Sequence, residues 1–195
     1  MKPKPLPIAL LFLGLFLAGC MNPQRASKQI LRCPEYMRDN VGQVKFEMSP
    51  AALFMYGFVH PNEPGCPIHL LPLAVDDVVL EEAFHSFEMR AGNDRYDEWE
   101  RFYKDFHGDG TTYKNYGGLA ASAVIMSIPL FGDIPVPGHV NFHATVSHFE
   151  DTAACFVHTI HGRSTADPTL ARKCAAVKKF AEGGYKSIVE TASDS

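Results

Sequence analysis

The 195 residues contain no CxxC, no HExxH and no GxSxG. Thioredoxin-like redox chemistry, zincin-type hydrolysis and nucleophile-elbow hydrolysis therefore have no local signature in the chain. No apolar stretch reaches the ~20 residues that a membrane-spanning helix needs. Basic residues are scarce: 18 Lys and Arg stand against 22 Asp and Glu. Adjacent basic residues occur only at Arg172-Lys173 and Lys178-Lys179, which read as one solvated helix face. A chain of this charge pattern offers no patch for nucleic acid. Internal repeats and long low-complexity tracts are absent, and an apolar content of 46% argues against global disorder.

What is present begins with the first twenty residues, MKPKPLPIALLFLGLFLAGC. Lys2 and Lys4 precede an apolar run from Leu6 to Ala18, broken only by Pro7 and Gly14. A run of that length suits a secretory leader. It ends in Leu17-Ala18-Gly19-Cys20, which resembles the lipobox of bacterial lipoproteins. The small Ala18 and Gly19 let an extended backbone enter a peptidase cleft, and the Cys20 thiol is the nucleophile that takes up a diacylglycerol. The resemblance implies a signal peptide over 1–19, lipidation of Cys20, and a lipid bilayer as partner through two or three acyl chains. One chain binds marginally and two bind stably, at ~0.8 kcal/mol per buried CH2. Met21, rather than Asp, follows Cys20. By family behaviour this favours the outer over the inner membrane.

Removal of the leader takes Lys2 and Lys4 and leaves 16 basic residues against 22 acidic ones, a formal charge of −6. Residues 20–32 are polar and read as a lipidated N-terminus and tether; residues 33–195 are long enough for a single domain with a sizeable core. With Cys20 lipidated, Cys33, Cys66, Cys155 and Cys174 remain. An even number in an oxidising compartment predicts two disulfides, with three possible pairings. Cys33–Cys66 and Cys155–Cys174 are the favoured ones, each lying within one local segment.

Partial alternation over 41–47 predicts a strand, whereas the apolar run 51–59 is too short for periodicity to type it. Residues 60–67, dense in proline and glycine, read as a loop. Asp76-Asp77 starts a helix with Leu80, Ala83, Phe84 and Phe87 on one face and Glu81, Glu82, His85 and Glu88 elsewhere, ending near Gly92. A second helix over 94–106 carries an aromatic stripe of Tyr96, Trp99, Phe102, Tyr103 and Phe106, with Gly108 as C-cap. The segment 119–131 reads as a buried helix or strand. Asp167-Pro168 starts a last helix that stops at Gly183-Gly184 and shares Leu170, Cys174, Val177 and Ala181 on one face. The expected fold is α+β: a small antiparallel sheet packed with about three amphipathic helices and held by two disulfides.

Five of the nine histidines fall in HVNFHATVSHFEDTAACFVHTIH, residues 139–161. Alternation reads this stretch as a hairpin turning at Phe149–Thr152, with His148 opposite Ala153. That register sets His143 opposite His158, at a Cβ separation of ~4.5–5.5 Å. Such a pair is a candidate zinc site, although zinc sites require a third or fourth protein ligand that the sequence does not name. Residues 105–116, DFHGDGTTYKNY, place Asp105, His107 and Asp109 at the first ligand positions of a calcium loop, but His107 supplies no oxygen and Tyr116 stands where a bidentate Glu belongs.

Tyr56-Gly57 followed by LLPLAVDDVVL, residues 70–80, is similar to the tyrosine-glycine and LPxxxxDT pattern of the YceK-type small envelope lipoproteins, with Val rather than Thr after Asp77. The similarity covers about thirty residues and implies no residue role. The reading that follows is an envelope lipoprotein with a structural or interaction role and an envelope protein as partner. A metal- or small-molecule-binding module and an enzyme without a sequence motif are the two alternatives.

Overall fold

The computed structural model describes residues 21–47, 56–72, 74–108, 136–141 and 143–186, with His143 as backbone only. The leader with Cys20, the apolar run 119–131 and all but the start of the calcium-like loop lie outside the described residues. The described residues hold six helices and a three-stranded sheet, so the fold is α+β. The helices are α1 (Pro23–Ile30), α2 (Glu35–Asp39), α3 (Asp76–Asp94), α4 (Tyr96–His107), α5 (His148–Ile160) and α6 (Pro168–Ala181). The strands are β1 (Val44–Phe46), β2 (Gly57–Val59) and β3 (Ile68–Leu70).

The sheet is mixed, not antiparallel as expected. β3 lies in the centre, parallel to β1 (Val44 opposite Ile68) and antiparallel to β2 (Val59 opposite Ile68). The 60–67 loop therefore closes a hairpin between β2 and β3, and β1 reaches β3 from further back in the chain. Ser86 on α3 locks this arrangement. Its hydroxyl donates to the Cys66 carbonyl at 2.6 Å and accepts the Gly42 N–H at 2.7 Å. Only glycine fits at 42, because a Cβ there would lie 2.3 Å from the Cys66 oxygen.

α3 is the central element and meets α1, α4, α5, β2 and β3. Leu80, Ala83, Phe84 and Phe87 are buried, as the periodicity predicts, and so are Val79 and Ala91. His85, Ser86 and Glu88, off the apolar face, are buried as well, because α5 packs against α3. Five phenylalanines fill the centre: Phe84 stacks on Phe156 at 4.8 Å, Phe102 on Phe180 at 4.2 Å, and Phe87 meets Phe180 at 4.7 Å. Each such ring is worth roughly 3–5 kcal/mol against truncation to alanine. The aromatic stripe of α4 divides: Phe102 and Phe106 are fully buried, whereas Tyr96 and Tyr103 face solvent.

Three further expectations are corrected. Residues 23–30, assigned to a tether, form α1. Asn22 caps it by accepting the Arg25 N–H at 2.9 Å, and Pro23 occupies the first turn. Its overall polarity conceals a packed side, Ala26, Gln29 and Ile30, which rests against α3. The hairpin over 139–161 does not exist. Residues 148–160 are helical because Ala153, Phe156, Val157 and Ile160 recur at i, i+3, i+4 and i+7, a period that outweighs a partial alternation. Ser147 caps this helix by accepting the Glu150 N–H, and Ser-His-Phe-Glu is the sequence form of a capping box.

The two disulfides are absent as well: Cys33, Cys66, Cys155 and Cys174 are free thiols. Cys33 and Cys66 engage different neighbours, the Gln29 carbonyl and the Pro61 carbonyl respectively. Burial pushes the Cys33 thiol up to about 12, against weak opposition from Arg32 and Arg38, so it stays protonated. Cys155 and Cys174 do meet across the α5–α6 interface, as a hydrogen-bonded pair of thiols. Burial raises Cys155, and the hydrogen bond from Cys155 lowers Cys174.

Candidate functional site

Two fully buried carboxylates, Glu88 on α3 and Asp151 on α5, organise the polar interior. Neither is stable in a helical core without donors, since an unpaired buried charge costs several kcal/mol. Each is surrounded by them.

Glu88 Oε1 receives His148 Nε2 at 2.6 Å and the Trp99 indole N–H at 3.3 Å; its Oε2 receives the Thr152 hydroxyl at 2.7 Å. The other ring nitrogen of His148, Nδ1, lies 2.9 Å from His107 Nε2 at the end of α4. Tyr103 and Phe106 pack against the His148 ring at 4.7 and 5.4 Å. His107 is held down to about 4, first by burial and then by the positive ends of His148 and Lys173. His148 Nε2–H donates to Glu88, and one proton is shared between His148 Nδ1 and Nε2 of the neutral His107. Chemically, the chain carboxylate–imidazole–imidazole is a path along which a proton can move between Glu88 and the partly exposed ring of His107.

Asp151 forms the second centre. Its Oδ2 lies 2.6 Å from Lys173 Nζ and 3.1 Å from His139 Nδ1, and its Oδ1 lies 3.9 Å from the Cys155 thiol. Lys173 is fully buried on α6 and also donates to the Gly138 carbonyl at 2.8 Å. Glu150 and Asp151 stand in the first turn of α5, where the helix dipole favours negative charge. Glu150 faces His85 of α3, 3.7 Å from its Nε2. Burial works against a charged His85, but Glu150, followed by Glu82 and Glu88, outweighs it and raises the imidazole to about 9.

The residues singled out from the sequence fall elsewhere. Cys20 lies outside the described residues, as does the His143 side chain. His158 sits ten residues beyond His148 on the same helix, ~15 Å along its axis. There, burial and Arg163 lower its pKa. Without the hairpin, nothing sets His143 opposite His158, and the proposed zinc pair loses its geometric basis. Among the described residues no group of three His, Cys, Asp or Glu side chains is arranged to hold a metal. The described part of the calcium-like loop is engaged in packing: Asp105 accepts from the Tyr185 hydroxyl at 2.7 Å, and His107 bonds to His148.

Arg172-Lys173, read as a solvated pair, is the largest surprise in charge placement. Arg172 caps the carbonyls of Asp105, Phe106 and His107 at the end of α4, and Lys173 neutralises Asp151. Sequence reasoning missed both centres, Glu88 with His148, His107 and Thr152, and Asp151 with Lys173 and His139. The capping box at Ser147–Glu150 is the signal that could have found part of it, since it puts His148, Asp151 and Thr152 on the first turns of a single helix. The chain matches no family model, no curated protein and no solved structure.

Proposed function

We propose that this chain is a lipoprotein of a bacterial envelope, anchored by acyl chains on Cys20 and carrying its α+β domain into the periplasm, with the outer membrane favoured. The observation that carries the reading is Leu17-Ala18-Gly19-Cys20 behind Lys2, Lys4 and a short apolar run. No helix among the described residues is long and apolar enough to cross a membrane.

Within that reading the domain serves a structural or interaction role toward another envelope protein. What supports a structural role for the two buried carboxylates is the state of their oxygens. The oxygens of Glu88 and Asp151 are occupied by donors from the chain itself, namely His148, Trp99, Thr152, Lys173 and His139. A carboxylate so occupied holds helices together, whereas a general base needs a lone pair directed at a substrate proton.

The test is replacement of the anchor residue. Cys20→Ser should abolish incorporation of labelled fatty acid and leave the leader uncut; normal processing of the variant would refute the anchor. Crosslinking in intact envelopes, followed by recovery of the protein, should then return one dominant envelope partner. Recovery of the protein uncrosslinked from intact envelopes would remove the interaction role.

A further inference from the structure

The first described residue is already part of the folded body. Met21 is 5% exposed, and its N–H donates to the Pro72 carbonyl at 2.8 Å. Asn22 then caps α1, Pro23 fills its first turn, and Arg25 pairs with Asp76 at the start of α3 at 2.6 Å. Adjacent Cα atoms are separated by ~3.8 Å, so whatever is attached to residue 20 leaves the domain one peptide unit from Met21.

At that point the surface holds an apolar groove of about 280 Å³, lined by Met21, Pro23, Phe46, Leu70 and Pro72 with Asn22 and Glu47 at its margin. Phe46 is 41% exposed although it is a large ring on the edge strand β1. The one acidic group in the groove, Glu47, is hydrogen-bonded to His69 Nδ1 at 2.5 Å.

We infer that this groove is the face on which the domain rests against a phospholipid bilayer, in an orientation set by the absence of a tether. The inference builds on the lipoprotein reading, because it takes the acyl chains of Cys20 as the anchor. Magnitudes select the bilayer rather than a withdrawn acyl chain as occupant. A methylene gains ~0.8 kcal/mol on leaving water whether it enters the groove or the membrane, so pulling a chain out of the bilayer into the groove yields nothing. The ring of Phe46, 41% exposed, by contrast leaves water only if the domain lies down on the lipid. The anchor holds it where that can happen.

The test uses the mature lipidated protein in phosphatidylethanolamine–phosphatidylglycerol vesicles whose acyl chains are brominated near the headgroup. Tryptophan is introduced as Phe46→Trp, and as Tyr96→Trp on α4, where Tyr96 is 57% exposed. The emission of the single native tryptophan, Trp99, is subtracted. Bromolipid should quench the Phe46→Trp signal and spare the Tyr96→Trp signal. Hydrogen exchange on the unsubstituted protein supplies a second readout. Vesicle binding should slow exchange in peptides covering 21–25 and 44–47 relative to detergent, with no change over 96–103. Equal quenching at both positions, or exchange unchanged at 21–25 and 44–47, overturns the inference. Intact mass and co-sedimentation with vesicles keep the two claims apart. Protein that lacks the diacylglycerol mass ends the lipoprotein reading. Lipidated, vesicle-bound protein with Phe46→Trp unquenched ends only the orientation.

Discussion

His69 and His148 each sit between polar partners, in opposite settings. His69 lies on the sheet with Glu47 at 2.5 Å on one ring nitrogen and Glu63 at 3.0 Å on the other, stacked on Phe58. Both carboxylates keep about a third of their side chains in solvent. His148 lies between Glu88 and His107 in the helical layer, where Glu88 has no exposure at all. The two imidazoles make similar bonds, but the consequences of losing a partner differ. Water can replace His69 at the exposed carboxylates, and nothing can replace His148 at Glu88. The sheet-side cluster is therefore decorative to stability, and the helix-side clusters hold α3, α5 and α6 in register.

The largest expected effects break the helix-side centres. Glu88→Ala leaves His148, Thr152 and Trp99 facing one another, and Lys173→Ala leaves Asp151 buried and unpaired. Each should lower the urea midpoint by the equivalent of roughly 3–5 kcal/mol. The pair Asp151→Leu with Lys173→Met should recover most of the loss, because a well-packed apolar pair replaces a buried ion pair at little or no cost. If the double variant is as unstable as the single one, the pair is not what holds α5 to α6.

A second contrast is in pH. The folded His85 titrates at about 9 against an ordinary 6.5. Its contribution is complete below pH 6.5 and is lost as the pH rises toward 9. The folded His107 titrates at about 4, so the unfolded chain takes up a proton that the folded one refuses. Stability should therefore fall as the pH drops from 6.5 toward 4. Thermal unfolding across this range should show a maximum near 6.5, with His85→Gln flattening the alkaline side and His107→Gln the acid side. A profile that keeps both slopes in the two variants would assign the titration to other groups.

The smallest effect tests the sheet-side cluster. Glu47→Ala should cost no more than ~1 kcal/mol, as exposed pairs do, and should leave the pH profile unchanged. A loss comparable to that of Glu88→Ala would erase the distinction between the two regions.

How much of this was legible depends on the range of the interactions. The bounds of α3, α4 and α6 follow from local chemistry, as the last helix shows: Asp167 accepts the N–H groups of Thr169 and Leu170, and Gly183 takes a positive φ after the final turn. The strand at Val44–Phe46 was also visible. The stretch 139–161 was misread because its histidines alternate with apolar residues early on, while the helical period emerges only from Ala153 onward. Lys173 reads as solvated and Glu88 as lying off the apolar face because, within one helix, a charged residue opposite the apolar stripe has no other reading. Only the neighbouring helix that covers it changes the assignment.

The sequence by itself determined the α+β class and the apolar faces that build the phenylalanine core. These are one-dimensional properties: run length, motif spacing and periodicity. Tertiary structure decided which charges are buried, which thiols meet, and that α1 rather than a tether follows residue 20. Each of these depends on contacts between segments that are distant in the chain, such as Glu88 with His148 and Met21 with Pro72. The free energy of a buried charge is set by the donors that folding brings to it, and no local pattern of residues carries that information.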